Sequence, residues 1–317
     1  SRTGENLMSR EMRCAFVFLV MLDRQYAKGA AVAAAALRRN RTKHELVVMV
    51  TPDVPERQRQ ALAQVFDRVL DVPLETHSVS ASVPRAYRAW AKHSLTKWRC
   101  LGVPGVNKVV FMDADLLPVA NIDEIADTPA PAGVFDWTRL DGRCPPSRQN
   151  GDPVPPAKLD CGRNGHTVSA EVVVLPASPE TAAAFFAWAE SRQPLPGWSD
   201  SCRSGADETS ITSFFGTRWS YLSARYASKA WHKCEKNPPV LSFLGDKPWN
   251  WRRTGWWDDY RPWWDEAALA SKTYGGTLAA LLLENAPPKY RRTTGGSNAL
   301  AGIHGVLVCL LCAFAGR

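Results

Sequence analysis

Continuous apolar runs of strand length alternate with helix-like stretches along the first two-thirds of the chain. "CAFVFLV" (residues 14–20), "ELVVMV" and "KVVFM" have the pattern of strands buried on both faces. Between the first two, "YAKGAAVAAAALRRN" predicts an alanine-rich helix. Its last turn holds Arg38 and Arg39, where positive charge complements the helix dipole. "PERQRQALAQVF" predicts a second helix opened by proline, "RVLDVPL" a further strand, and "PRAYRAWAKHSLTKWRCLG" a longer helix ending near Gly102. Later, "AEVVVLP" predicts a strand, "SPETAAAFFAWAES" a helix with Ser178 as N-cap, and "ADETSITSFFGTRW" a short helix. Alternation of this kind predicts an α/β fold with an open, mostly parallel sheet, whose ligands bind outside the carboxyl ends of the strands.

The interruptions divide the chain. Residues 1–12 read as a flexible N-terminus or a cloning remnant, and no signal peptide is visible. A core domain is expected over 13–265. Within it 136–166, rich in Gly, Pro and Arg, reads as an irregular insertion or lid. Residues 266–317 read as a helical and apolar tail. "WNWRRTGWWDDYRPWWDEA" places six tryptophans in a short span, readable as packing for a terminal helix or as a platform for sugar faces. The apolar stretch 299–316 is at the lower length for a membrane span, so membrane contact through this tail stays open.

Composition adds little to this picture. The 317 residues are 45% hydrophobic, enough for one large domain. The net charge of +8 suits a phosphate-bearing ligand, an acidic surface or nucleic acid. The arginines are scattered and no nucleic-acid motif is present, which argues against nucleic acid. Eight cysteines show no paired zinc spacing. Cys144, Cys161, Cys202, Cys234, Cys309 and Cys312 are read as reduced thiols of a cytoplasmic protein, against a disulfide or metal cluster in the middle region.

The chemistry concentrates where "KVVFM" runs into Asp113 and Asp115. Two carboxylates at a buried strand's exit either turn the chain or face a cation. Side chains two apart on extended backbone share a face, so both can reach one hard cation and a ligand's diphosphate. Lys97 in "SLTKWRC" and Lys247 in "SFLGDKPW" are single positive charges suited to phosphates.

"AFVFLVMLDRQYAKGA", "LVVMVTPDV", "VFDRV", "SLTKWRC", "VVFMDADLLPVANID" and "FLGDKPWN" follow one another over roughly residues 13–252. In this order the chain resembles the glycogenin-type family-8 glycosyltransferases, particularly the versions carried by large DNA viruses. The resemblance implies a Rossmann-like nucleotide-sugar fold of the GT-A type. It implies a retaining transferase that moves a hexose from a UDP-sugar to an acceptor (a glycan, a protein or a small molecule). Manganese, or magnesium, would be held by Asp113 and Asp115. A non-catalytic nucleotide- or glycan-binding descendant is the alternative, and a homodimer is left open. If the chain is viral, its place would be the host cytoplasm.

By the same resemblance, Ala114 backbone would lie near the ribose, and Leu19 and Tyr26 would border the uracil. Arg88 and Lys97 would face phosphates and sugar, with Gly245 and Lys247 closing on the diphosphate. Asp207 and Glu208 match the family's Asp-Gln pair beside the donor sugar, Asp207 as a positioning group before a nucleophile. Three departures accompany the match. Ser242 stands where the family has its histidine metal ligand, Glu208 replaces glutamine, and Ser169, Ala170 and Glu171 replace Asn-Ser-Gly. His232 is a candidate substitute ligand.

Overall fold

The computed structural model describes residues 13–22, 25–79, 83, 85–135, 144–159, 167–193, 205–231 and 234–291. Its strands in chain order are β1 (Cys14–Val20), β2 (Glu45–Val50), β3 (Arg68–Asp71), β4 (Lys108–Met112), β5 (Leu116–Pro118), β6 (Ala132–Val134), β7 (Ser169–Pro176), β8 (Ser220–Tyr221), β9 (Ser228–Lys229) and β10 (Val240–Ser242). Seven of them form one sheet in the order β3-β2-β1-β4-β7-β6-β8. The other three form a small sheet, β5-β10-β9. β3, β2, β1 and β4 are mutually parallel, as the alternation predicts.

β7 differs: it runs antiparallel to both β4 and β6. An apolar run buried on both faces carries no mark of direction, so the pattern could locate this strand without orienting it.

The helices are α1 (Tyr26–Arg39), α2 (Glu56–Leu62), α3 (Arg85–Ala91), α4 (Pro179–Glu190), α5 (Ala206–Phe215), α6 (Trp251–Thr254), α7 (Arg261–Tyr274), α8 (Gly276–Leu283) and α9 (Pro288–Arg291). Ser178 caps α4, its hydroxyl accepting the Thr181 N–H at 3.0 Å. The long helix expected over 84–102 is two pieces: α3, and a 3-10 helix from Ser94 to Gly102.

Alternate residues of β1 feed two cores. Phe16, Phe18 and Val20 pack with α1, α7 and α8, while Ala15 and Val17 pack with Trp98, Phe111, Phe185 and Trp219. α7 runs across residue 265 and belongs to the first core through Trp263 and Trp264. Arg39 of α1 pairs with Glu266 of α7 at 2.8 Å. Of the six clustered tryptophans, Trp249, Trp263 and Trp264 are buried, while Trp256 and Trp257 are exposed. Packing therefore accounts for half of that span.

The thiol expectation is corrected. Cys144 and Cys234 form a disulfide that ties the described part of the insertion, 144–159, to the chain between β9 and β10. Cys14 and Cys100 are free and buried, and burial pushes the Cys14 thiol up to about 11. Cys161, Cys202, Cys309 and Cys312 lie outside the described residues. The cytoplasmic expectation thereby loses its cysteine argument. Among the described residues no helix is long and apolar enough to cross a membrane, and the stretch 299–316 lies outside them.

Candidate active site

Asp113, Ala114 and Asp115 are the three residues that pass the chain from β4 of the large sheet to β5 of the small one. Both sheets grip this link. Asp113 N–H donates to Glu171 O at 2.8 Å, and Phe243 N–H donates to Asp115 O at 3.0 Å. From below, α1 presses against it at Gly29, where a Cβ would fall 2.1 Å from the Ala114 carbonyl oxygen. Only a residue without a side chain allows that approach.

Two lysines meet the two carboxylates. Lys97 Nζ lies 3.2 Å from Asp113 Oδ1 and 3.0 Å from Asp207 Oδ2. Lys97 is 5% exposed and Asp207 2%. Burial opposes the charge on Lys97, but Asp113 and Asp207 outweigh it and hold the ammonium protonated. Burial also pushes Asp113 up to about 7; Lys97 opposes this, and Asp115, Glu171 and Asp207 add to it. Lys247 pairs with Asp115 and donates to Phe243 O at 2.9 Å. Burial works against the Lys247 charge as well, and Asp115 more than offsets it. Gly245, at φ +88°, makes the left-handed turn that brings Lys247 back to the link.

Of the residues expected at the base and ribose, Ala114 is buried in the link, and Tyr26 opens α1 with its ring edge-on to Trp249 at 5.5 Å. Leu19 sits half-buried near the end of β1. Arg88 lies on the exposed side of α3, its Nε donating to Val83 O at 2.9 Å. The structure thus gathers Lys97, Asp113, Asp115, Asp207 and Lys247, and leaves Arg88 on a neighbouring helix.

Residues 17–156 match the family described as Glycosyl transferase family 8. Over those residues, less than half of its length, the chain is similar to glycosyl transferase family 8. Human glycogenin-1 is 42% identical over 113 residues, covering 36% of this chain and 32% of glycogenin-1. The chain thus matches about a third of the length of that curated relative. The uncharacterized protein R707 of Acanthamoeba polyphaga mimivirus is 24% identical over 215 residues, covering 68% of each. Among solved structures, the galactosyltransferase LgtC in complex with donor and acceptor sugar analogs aligns with a TM-score of 0.56 at 17% identity. That alignment covers 88% of this chain and 99% of LgtC. A likeness at that identity carries the GT-A type fold.

Beyond the matched residues, the three departures read separately from the sequence prove to be connected. Glu171 of β7 pairs with Lys229 of β9, and Lys229 Nζ donates to Ser242 Oγ at 3.2 Å. Glu208 reaches back from α5, its carboxylate accepting from Ala170 N at 3.3 Å and Gly205 N at 3.2 Å. Burial, then the Asp207 charge, pushes Glu208 up to about 8, against the pull of Lys97 and those two amides. Lys229 is the member that sequence reasoning missed. Its signal was faint: a lone lysine in a two-residue strand, meaningful only once β9 is known to lie beside Ser242. His232 lies outside the described residues.

The divalent ion implied by family 8 can be tested against these side chains. Two carboxylates with diphosphate oxygens would suit a hard cation. Here each carboxylate already faces an ammonium, and a third ammonium sits on Ser242, where the nitrogen ligand is expected. Among the described residues no three His, Cys, Asp or Glu side chains form a group that could hold a metal ion. The residues present do not fit a resident divalent cation.

Proposed function

We propose that the protein transfers a hexose from a UDP-sugar to an acceptor hydroxyl with retention of anomeric configuration. The observation that carries this reading is the strand-end link itself: Asp113 and Asp115 hold Lys97 and Lys247 at the carboxyl end of β4, where open α/β sheets bind ligands. Breaking the anomeric carbon–oxygen bond leaves the electron pair on the diphosphate, whose negative charge grows in the transition state. Two fixed ammoniums stabilise that charge more than they stabilise the bound donor, which lowers the barrier. The metal-assisted form of the reaction, with manganese or magnesium at Asp113 and Asp115, has weaker support from this donor set, so the charge is assigned to the lysines. Leu19, Tyr26 and the Ala114 backbone would hold the nucleoside, with Arg88 and Gly245 near the phosphates.

The sugar would lie toward Asp207. Among the described residues, Asp207 Oδ1, both ring nitrogens of His77, Ser94 Oγ and Ser210 Oγ are buried without a hydrogen-bond partner. Ser210 follows Asp207 by three residues on α5, and Ser94 precedes Lys97 by three on the 3-10 helix. Buried polar atoms left unpaired are costly, and the hydroxyls of a hexose would satisfy several of them. Asp207 is then a sugar-positioning group.

A second reading, a descendant that binds nucleotide or glycan without turnover, is favoured by the Glu171–Lys229 pair and by Glu208. A solved structure of an active-site glutamine-to-glutamate variant of LgtC makes the same kind of exchange as Glu208. Incubation with a panel of UDP-hexoses and chromatography of the products separates the two. Release of UDP supports the transferase; intact donors throughout, with UDP itself binding, support the second reading.

A further inference from the structure

Two ammoniums pair with the link between β4 and β5, and a third meets its neighbours Glu171 and Ser242, each arriving from a different element. Lys97 comes from the 3-10 helix, Lys247 from the loop after β10, and Lys229 from β9. The last is placed by pairing. β9 runs parallel to β10 with Lys229 opposite Ser242, and β10 is antiparallel to β5, with Ser242 opposite Leu116, the residue after Asp115. On the other side, β4 and β7 put Met112 opposite Val172, so Asp113 and Glu171 are cross-strand neighbours on one face. Glu171 contributes to the electrostatic environment of both Asp113 and Lys247.

Glu171 and Lys229 are each 8% exposed. A buried ion pair is a poor way to gain stability, since desolvation offsets much of the attraction. This pair is also incomplete, because among the described residues Glu171 Oε2 is buried without a partner. A half-satisfied pair beside two aspartates and two further lysines has the character of a binding site waiting for polar atoms.

We infer that Lys229 is a third diphosphate-binding cation, and that with Lys97 and Lys247 it lets the protein hold a nucleoside diphosphate sugar without a divalent ion. Phosphate oxygens accept from the three ammoniums, and a sugar hydroxyl donates to Glu171 Oε2. This inference rests on the UDP-sugar reading above and specifies how that site carries its positive charge.

The test is a calorimetric titration of UDP into the full chain, first with EDTA and then with manganese. UDP binds in EDTA, and manganese changes the affinity by less than about threefold. Lys229→Met weakens binding in EDTA by about tenfold, with thermal melting alongside to confirm the fold. Where that variant melts early, the double variant Glu171→Gln/Lys229→Met removes the stranded carboxylate and is titrated in its place. Binding that appears only with manganese overturns the inference and leaves the UDP-sugar reading standing. So does wild-type affinity in the folded Lys229→Met or double variant. Absence of UDP binding under both conditions overturns the UDP-sugar reading as well.

Discussion

Lys97 and Asp207 are joined at 3.0 Å across 110 residues of chain, and the same ammonium reaches Asp113. In the proposed function, one lysine thereby couples the diphosphate end of the site to its sugar end. Removing it leaves two carboxylates with no other ion-pair partner among the described residues, one of them almost wholly buried. Lys97→Met should therefore destabilise the fold by about 3–5 kcal/mol in urea unfolding. Adding Asp207→Asn should recover part of that loss. A single variant as stable as wild type would show that the pair is slack.

Glu208 gives a pH signature. Its carboxyl is pushed from 4.5 up to about 8, chiefly by burial, so the native state keeps the proton after the unfolded chain has lost it. The unfolded state then binds fewer protons, and this group makes stability fall as pH rises from about 4.5 to about 8. Glu208→Gln should flatten that slope in melts taken across the range, and should stabilise the protein most at the alkaline end. An unchanged slope would mean that Glu208 ionises freely in the fold.

Gly29 makes a steric prediction. A methyl group there would meet the Ala114 carbonyl at 2.1 Å and the Trp249 ring at 2.7 Å. Neither neighbour is a flexible chain end. Gly29→Ala should cost about 1–3 kcal/mol and weaken UDP binding together, because the displaced atom belongs to the Asp113–Asp115 link. Calorimetry and melting on the same sample check both. Loss of stability with unchanged UDP affinity would detach Ala114 from the site.

Much of this architecture is legible in the residues, for identifiable reasons. "KVVFM" and "CAFVFLV" are apolar at every position, so their burial and length are plain. The aspartates announce themselves because carboxylates seldom end such runs. Other features depend on contacts between distant residues. The direction of β7 is set by its partners β4 and β6. Cys144 and Cys234 are 90 residues apart, and nothing local marks them as a pair. The break between α3 and the Ser94 helix separates two segments that each suit a helix, with His93 between them bonded to Glu75 O at 2.7 Å. Lys229 shows most clearly why the site was only half visible. Ser242 and Glu171 look like independent departures in the sequence, and only the pairing of β9 with β10 brings one lysine against both.

That connection alters what a single substitution can restore. Ser242 is 1% exposed and already accepts a hydrogen bond from Lys229. An imidazole placed there alone would confront an ammonium, so Ser242→His should leave manganese affinity unchanged. Combining it with Glu171→Gly and Lys229→Met opens the corner, and manganese binding in the presence of UDP should tighten by about tenfold. Tight, selective manganese binding by the single variant would show that Lys229 does not guard the position.

The central claim is that lysines held by Asp113 and Asp115 drive departure of the nucleoside diphosphate. The most direct measurement is the initial rate of UDP release from a UDP-hexose by wild type and by Lys247→Met, with melting curves confirming that both are folded. The account predicts slow release by the wild type and a fall of about a hundredfold in the variant, the scale seen when one preorganised charge-stabilising group is removed. Equal rates in two folded proteins would contradict it.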